Sequence, residues 1–171
     1  MRPCGKFRDG TYIGVPKVTS GRRKYIPMGF VTNGMIPGDK LYFVPTNSLY
    51  VFGVLMSQTH NAWMRMTAGR LKSDYSYGNV ITYNNLVWPE PTDEQREAIE
   101  TCAQAVLDAR DNHPDDSLAT LYDPDKMPAD LLAAHKALDA AVEAAYGVDF
   151  DGDEEKIVAH LFKLYAEKTA E

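Results

Sequence analysis

The sequence predicts an α+β protein: an N-terminal, mostly antiparallel β half with one helix, followed by a small C-terminal helical layer. Three observations lead to this prediction. Apolar runs in the first half are short and end at turn residues, as in antiparallel strands. After Pro89, apolar residues instead recur at helical spacing, and the net charge changes sign near the same point. With 171 residues, 44% of them hydrophobic, the chain can form a core without disulfides or metals.

Five apolar runs in the first half predict strands, because each is short and bounded by residues that favour turns. They cover residues 12–15, 25–31, 40–44, 49–55 and 79–83. Turn signals between them include residues 33–34 and 37–39. A single helix is predicted over residues 58–68, where Trp63 and Met66 lie at helical spacing and no strand alternation is present.

Three helices are predicted in the second half, each with a recognisable start. The first follows the capping residue Thr92, the second runs from Pro128 to Gly147, and the third begins in the acidic residues 151–155. The residues predicted to face inward are Ile99, Cys102, Ala103, Val106 and Leu107; Leu131, Ala134, Leu138, Ala141, Val142 and Ala145; and Ile157, Val158, Leu161, Phe162 and Tyr165.

The formal net charge of −6 argues against a nucleic-acid partner, but it is an average over two different halves. Residues 1–88 carry eleven Lys or Arg against three Asp or Glu, a net of +8. Residues 89–171 carry seven against twenty-one, a net of −14. We therefore divide the chain into two domains, residues 1–88 and 89–171, and only the first is suited to contact phosphate.

Membrane and secreted proteins are disfavoured by the same sequence. No apolar run approaches the roughly eighteen residues of a membrane span, and the N-terminus lacks the apolar stretch of a signal peptide. We expect a cytoplasmic protein without a membrane partner. In that reducing compartment Cys4 and Cys102 are expected to be free thiols.

No complete catalytic pattern is present in the sequence. The two glycine-rich phosphate loops, GxxxxGK[ST] and GxGxxG, are absent, and the four histidines have no Cys or His partner at zinc-ligand spacing. The acidic residues 149–153 lack the glycine that a calcium loop needs at its sixth position. The sequence thus predicts no catalytic residue, no metal and no bound cofactor for this chain.

A basic cluster near the start of the chain is suited to contact a nucleic-acid backbone. Lys17, Arg22, Arg23 and Lys24 surround the polar residues 18–21, whose hydroxyl and backbone N–H groups can add hydrogen bonds to phosphate. An ordinary solvated loop is the alternative explanation of this cluster.

A second cluster consists of Arg65, Arg70, Lys72 and Asp74. In an extended segment, residues two apart project to the same side, so Lys72 and Asp74 would present a donor and an acceptor together. That pair complements a G·C base pair in the major groove, where lysine donates to guanine and a carboxylate accepts from the cytosine amine. The alternative is a surface ion pair between the two, which contributes little stability.

Motifs in both halves resemble one protein family. The residues that carry the resemblance are Pro16 to Phe30, Leu49 to Leu55, Ala62-Trp63-Met64-Arg65, Gly69 to Tyr77, Tyr83 to Pro89, Leu121-Tyr122-Asp123-Pro124, Ala134 to Asp139, Ala144 to Gly147 and Leu161 to Tyr165. Together they are similar to the target-recognition domain and C-terminal helical region of MmeI-like (type IIL) restriction-modification DNA methyltransferases. The resemblance covers about residues 15 to 168.

The resemblance implies a role in sequence-specific recognition of double-stranded DNA. Full-length members also carry an endonuclease region and an adenine-N6 methyltransferase core that uses S-adenosylmethionine. Their catalytic and cofactor loops do not occur in this sequence, so we expect a fragment that neither methylates nor cuts DNA and that works with the methyltransferase core of the same parent chain. The helical layer is expected to support the recognition domain on the side away from DNA.

The resemblance also points to base-reading residues. A pair of polar side chains two apart in the segment Gly-Arg-Leu-x-x-x-Tyr corresponds to Lys72 and Asp74. Further candidates are Lys17 and the neighbourhood of Asp39 and Lys40, upstream.

Two other functions stay open on the sequence alone. The chain could be a protein-interaction or assembly subunit whose acidic helices bind a partner. It could also be a separate specificity subunit that acts in trans with a catalytic subunit.

Overall fold

The computed structural model describes residues 10–32 and 38–170 and confirms the α+β class. Its strands are β1 (Tyr12–Pro16), β2 (Val18–Thr19), β3 (Gly29–Val31), β4 (Leu41–Val44), β5 (Gly69–Leu71) and β6 (Asp74–Ser76). Its helices are α1 (Leu49–Met56), α2 (Gln58–Thr67), α3 (Asp93–Asp111), α4 (Leu118–Leu121), α5 (Ala129–Tyr146) and α6 (Glu154–Thr169), and a π-helical turn covers Asn79–Tyr83. The predicted turn at residues 33–34 and the thiol of Cys4 lie outside the described residues, whereas Cys102 is a free thiol, as predicted.

The strands form two antiparallel three-stranded sheets, in the orders β3-β1-β4 and β2-β6-β5. The chain crosses from one sheet to the other at Lys17. The N–H of Lys17 donates to the carbonyl of Lys40 (2.9 Å), and the carbonyl of Lys17 accepts from the N–H of Tyr77 (2.9 Å). Within the predicted strand at residues 25–31, only Gly29–Val31 is a strand, because the residues before it turn inward and bury Tyr25 and Ile26.

Residues 49–55 form a helix, so the predicted strand is wrong. The run is apolar on nearly every side, and a short run of this kind does not reveal whether its period is that of a strand or a buried helix. The Ser48 hydroxyl caps α1 by accepting from a backbone N–H, and Phe52 is fully buried. A Cβ atom at Gly53 would lie 2.8 Å from Cγ2 of Ile99, so glycine allows α1 to pack closely against α3.

Residues 79–83 are also not a strand. Val80 and Ile81 are both exposed, and the turn is anchored instead by the buried Thr82, whose carbonyl accepts from Nε1 of Trp63 at 2.9 Å. The helix predicted at residues 58–68 is confirmed as α2. The prediction of a single helix in this half is wrong, because α1 is a second one.

The helical layer is predicted well because its end signals are local. Thr92 and Gln95 form the capping box of α3, Gly147 ends α5 in the left-handed conformation (φ 72°), and Asp153 caps α6. The short helix α4 is additional. Phe162, predicted to face inward, is 43% exposed, and its ring packs at a tilt against that of Trp63, with 5.2 Å between centroids.

The two halves share one hydrophobic core. Helix α1 packs against α3 and α5, and α2 packs against α6, so helices of both halves meet. His60 is fully buried at this junction, with Nδ1 donating to the Leu55 carbonyl (2.8 Å) and Nε2 accepting from the hydroxyl of Tyr77 (3.0 Å). Burial lowers the pKa of His60 to about 4, so the ring is neutral. Among the described residues, no helix is long and apolar enough to cross a membrane.

Candidate nucleic-acid interface

The two basic clusters of the sequence lie side by side around the β2-β6-β5 sheet, with Arg65 on the neighbouring helix α2. Strand β2 leads into the basic loop, which we define as residues 20–24, and β2 pairs with β6 of the following hairpin. A Cβ atom at Gly21 would lie only 2.4 Å from the carbonyl oxygen of Ser73 in the hairpin turn. Glycine therefore allows the basic loop to lie directly against the tip of the hairpin, which the β5-Lys72-Ser73-β6 segment forms.

The hairpin tip changes the geometry expected for Lys72 and Asp74. Lys72 has a positive φ of 58° and occupies the two-residue turn, whereas Asp74 is the first residue of β6 and pairs with Leu71. The two side chains therefore do not project together by strand alternation, and that part of the prediction is wrong. They still lie at one end of one hairpin, with Lys72 exposed and Asp74 half-buried.

No ion pair joins Lys72 to Asp74 among the ion pairs of the described residues. The alternative explanation, an internal surface pair, therefore has no support in the structure. The donor and the acceptor are therefore not occupied by each other.

Helix α2 holds the backbone of the basic loop. The guanidinium of Arg65 donates to the Arg23 carbonyl (2.7 Å), and the Asn61 side-chain amide donates to the Lys24 carbonyl. Arg65 also lies 3.4 Å from the carboxylate of Glu154 and is only 25% exposed. The structure thus gives Arg65 intramolecular partners at a half-buried position, whereas the side chains of Arg22 and Lys24 are exposed.

The exposed cations of the interface have different surroundings. The Arg22 guanidinium contacts the carboxylate of Asp125 at 2.5 Å in a pair whose side chains are both more than two-thirds exposed, and such pairs contribute about 0–1 kcal/mol. Arg70 stacks over the ring of its cross-strand partner Tyr75, 4.0 Å from the centroid. Stacking keeps this guanidinium in place at the surface.

The upstream base-reading candidates lie together at the junction of the two sheets. The hydrogen bond from Lys17 to the Lys40 carbonyl makes these residues neighbours, and the Lys17 ammonium lies 5.0 Å above the ring of Tyr42. The ammonium of Lys40 is 3.2 Å from the carboxylate of Asp39, and both side chains are exposed.

A buried polar network behind the basic loop has no signal in the sequence. The hydroxyl of Tyr25 donates to Asp139 (2.7 Å), and Asp139 also accepts from the backbone N–H of Gln58 (2.7 Å). Burial raises the pKa of Asp139 to about 6, although both hydrogen bonds lower it. The loop is therefore joined to α2 and to α5 through one buried carboxylate.

The ring of Tyr25 also stacks on His135, with 4.0 Å between centroids. Nε2 of His135 accepts from the hydroxyl of Tyr122 (2.8 Å), and that hydroxyl in turn accepts from Arg110. Burial and the nearby cations lower the pKa of His135 to about 3, so its ring is neutral. His135 is thus a buried packing residue that joins the rings of Tyr25 and Tyr122.

Comparisons with known proteins agree with this arrangement. Residues 3–90 match the family model of the MmeI target recognition domain, and residues 91–171 match that of the MmeI C-terminal domain. DNA methyltransferase A of Bacillus subtilis (strain 168) is 39% identical over 170 residues, which are 96% of this chain and 19% of that protein.

A solved structure of the type IIL restriction-modification enzyme MmeI in complex with DNA is similar in both sequence and fold. It shares 41% identity with a TM-score of 0.92, over 96% of this chain and 22% of that one. The chain thus spans about a fifth of the length of these two relatives.

Proposed function

Because this chain belongs to the MmeI target recognition family, continued by the MmeI C-terminal domain, we propose that it is the DNA-reading module of a site-specific DNA methyltransferase. The observation that carries the proposal is the contact of Gly21 with Ser73, which joins the basic loop to the hairpin tip. The module binds double-stranded DNA through the cations of the basic loop and Arg70, which lie beside the donor Lys72 and the acceptor Asp74. Its likeness to a DNA-bound relative supports the same role.

Contacts to phosphate come from the exposed cations that surround the hairpin. Arg22 and Lys24 of the basic loop and Arg70 of β5 are exposed, Arg23 between them is half-buried, and we infer that these four approach one stretch of DNA backbone. Such contacts fix the orientation of the protein without reading sequence. Arg65, predicted from sequence to contact phosphate, acts instead by holding the Arg23 carbonyl.

Base reading falls to the hairpin tip and to the sheet junction. A two-stranded β-ribbon fits the major groove, where lysine donates to the guanine edge and a carboxylate accepts from the cytosine amine. Lys72 and Asp74 at the tip have these two chemistries and no internal ion pair to each other. Lys17, Asp39 and Lys40 form a second group at the junction of the two sheets, where Lys17 donates to the Lys40 carbonyl.

The helical layer supports the interface. Asp139 of α5 accepts from Tyr25, the residue that follows the basic loop, and Asp125 contacts Arg22 within the loop. The remaining four-fifths of the parent polypeptide supply the adenine-N6 methyltransferase core, with S-adenosylmethionine as methyl donor, and a fused endonuclease where one is present.

DNA binding by this chain can be tested by titration at several salt concentrations. Fluorescence anisotropy on labelled duplexes should show an association constant whose logarithm falls linearly with the logarithm of the salt concentration. The slope should be about −0.9 for each phosphate contact. Replacing Arg22 and Arg70 together with alanine should reduce the slope by about two. Replacing the exposed Lys136 and Lys163 of the helical layer changes the net charge equally and should leave the slope unchanged. Equal slopes for both double variants would contradict the assignment of Arg22 and Arg70 to the DNA interface.

A further inference from the structure

The β2-β6-β5 sheet has one face turned toward the core and one toward solvent. Thr19, Tyr75 and Arg70 are neighbours across the three strands, and the first two are buried (3% and 8% exposed). Because alternate residues of a strand point to opposite faces, Leu71 and Asp74 lie on the other face. Leu71 is exposed on that face, whereas Arg70, on the face of Tyr75, reaches solvent because β5 is the edge strand of the sheet.

Apolar side chains flank the acceptor on this solvent face. Leu71 is 56% exposed and pairs directly with Asp74, so their Cβ atoms lie about 5 Å apart. Val18 is 42% exposed and pairs with Ser76, the next residue of β6 on the same face. A single exposed leucine is ordinary, but here it stands beside the predicted base acceptor and next to the turn residue Lys72.

The major groove offers one kind of apolar group to such a side chain. Among the four bases only thymine carries a methyl group there, at C5, and apolar side chains of DNA-binding proteins contact it. Successive bases are about 3.4 Å apart along one strand, so a side chain about 5 Å from Asp74 reaches the neighbouring base pair.

We propose that Leu71 contacts the C5 methyl group of a thymine in the base pair next to the one that Asp74 contacts. This inference rests on the proposed function and adds a specificity-determining residue to it. Leu71 reads an apolar group where Asp74 reads an amine, so the hairpin tip distinguishes two adjacent base pairs. Val18 lies farther from the tip and contributes less.

The test removes only the methyl group from DNA. Duplexes bound by the 171-residue chain are first selected from a randomised pool, and each thymine of the selected site is then replaced by deoxyuridine, which keeps every hydrogen-bonding group of the base. Affinity should fall about fourfold at one thymine, as expected for the loss of one buried methyl group. Asp74→Asn should relax base preference at the adjacent position.

Variants of the protein assign the effect to Leu71. Leu71→Ala should bind the thymine and deoxyuridine duplexes equally at that position. Met66→Ala and Val80→Ala remove other exposed apolar side chains, at 58% and 64% exposure, outside the three strands of this sheet, and should keep the fourfold difference.

Three outcomes would overturn the inference while leaving DNA binding intact. They are a selected site without a thymine beside the pair read by Asp74, no thymine sensitive to deoxyuridine, and a Leu71→Ala variant that still discriminates. Absence of any salt-dependent DNA binding would instead overturn the proposed function itself, so the two failures are distinguishable.

Discussion

The hydroxyl of Tyr25 donates a 2.7 Å hydrogen bond to the buried carboxylate of Asp139, 114 residues away in the chain. Tyr25 directly follows the basic loop, and Asp139 lies in the middle of α5. The bond therefore ties the predicted DNA-contacting surface to the helical layer. Since the acidic layer fixes the basic loop in this way, the two halves of opposite charge work as one unit.

Tyr25→Phe should lower the free energy of unfolding by about 1–3 kcal/mol, because Asp139 loses a partner while it stays buried. Urea unfolding measures this change. Tyr165→Phe is the matched control, because the Tyr165 ring lies 6.3 Å from the ring of Trp63 and its hydroxyl has no hydrogen-bond partner among the described residues. Equal losses in the two variants would mean that the Tyr25 hydroxyl contributes nothing particular.

The stability advantage of the wild-type chain over Asp139→Asn should grow on acidification from pH 7 to about pH 4.5. Burial raises the folded-state pKa of Asp139 to about 6, whereas the unfolded carboxyl titrates near 3.9. Between these values the folded chain binds the extra proton, so protonation favours folding. Comparing both proteins by urea unfolding at each pH cancels titrations that they share, including those of His60 and His135.

The opposite trend with pH would show that the folded state stabilises the ionised carboxylate. In that case the hydrogen bonds from Tyr25 and Gln58 would outweigh the cost of burial.

Arg65→Ala should weaken DNA binding with little change in salt dependence, because Arg65 is only 25% exposed and contacts the Arg23 carbonyl and the Glu154 carboxylate. Arg70→Ala should reduce the slope of log affinity against log salt by about one. Anisotropy titrations at four salt concentrations separate the two. A slope reduced equally in both variants would restore Arg65 to the phosphate-contacting residues that the sequence predicts.

Gly21→Ala should disturb the interface more than an alanine placed at another glycine. Its Cβ atom would meet the Ser73 carbonyl at 2.4 Å, so the basic loop or the hairpin must move, at a cost of about 1–3 kcal/mol. Gly29→Ala is the control, since its Cβ would make an ordinary 3.7 Å contact with Leu118. If DNA affinity were equal in the two variants, the close approach of loop and hairpin would have no role in binding.

What the sequence predicts well is what depends on near neighbours. The helices of the second half carry their own boundaries, as Thr92, Gly147 and Asp153 show. Residues 49–55 follow the capping residue Ser48, but a short run that is apolar throughout suits a buried helix as well as a strand. The close packing of Gly53 against Ile99 fits the helix, and that contact lies in the tertiary structure.

In the candidate site, too, some features can be predicted from the sequence and others depend on the tertiary structure. Its cations and its single donor and acceptor pair can be identified from composition, because a carboxylate in a basic half is conspicuous. The positive φ of Lys72 cannot be predicted from the assumption of an extended segment, since the hairpin register places the turn there. Arg65 can be identified from its charge, but its contacts with Arg23 and Glu154 cannot, because neither residue lies near it in the sequence.

Exchange of the donor and acceptor at the hairpin tip tests the central claim most directly. Grafting residues 1–171 in place of the corresponding segment of a longer methyltransferase relative provides a catalytic readout, and sequencing of methylated sites then reports the recognised bases. Lys72→Glu combined with Asp74→Arg should reverse one position from G·C to C·G and leave the others unchanged, because glutamate accepts from cytosine and arginine donates to guanine. Persistent methylation with the same base at every position would contradict the claim.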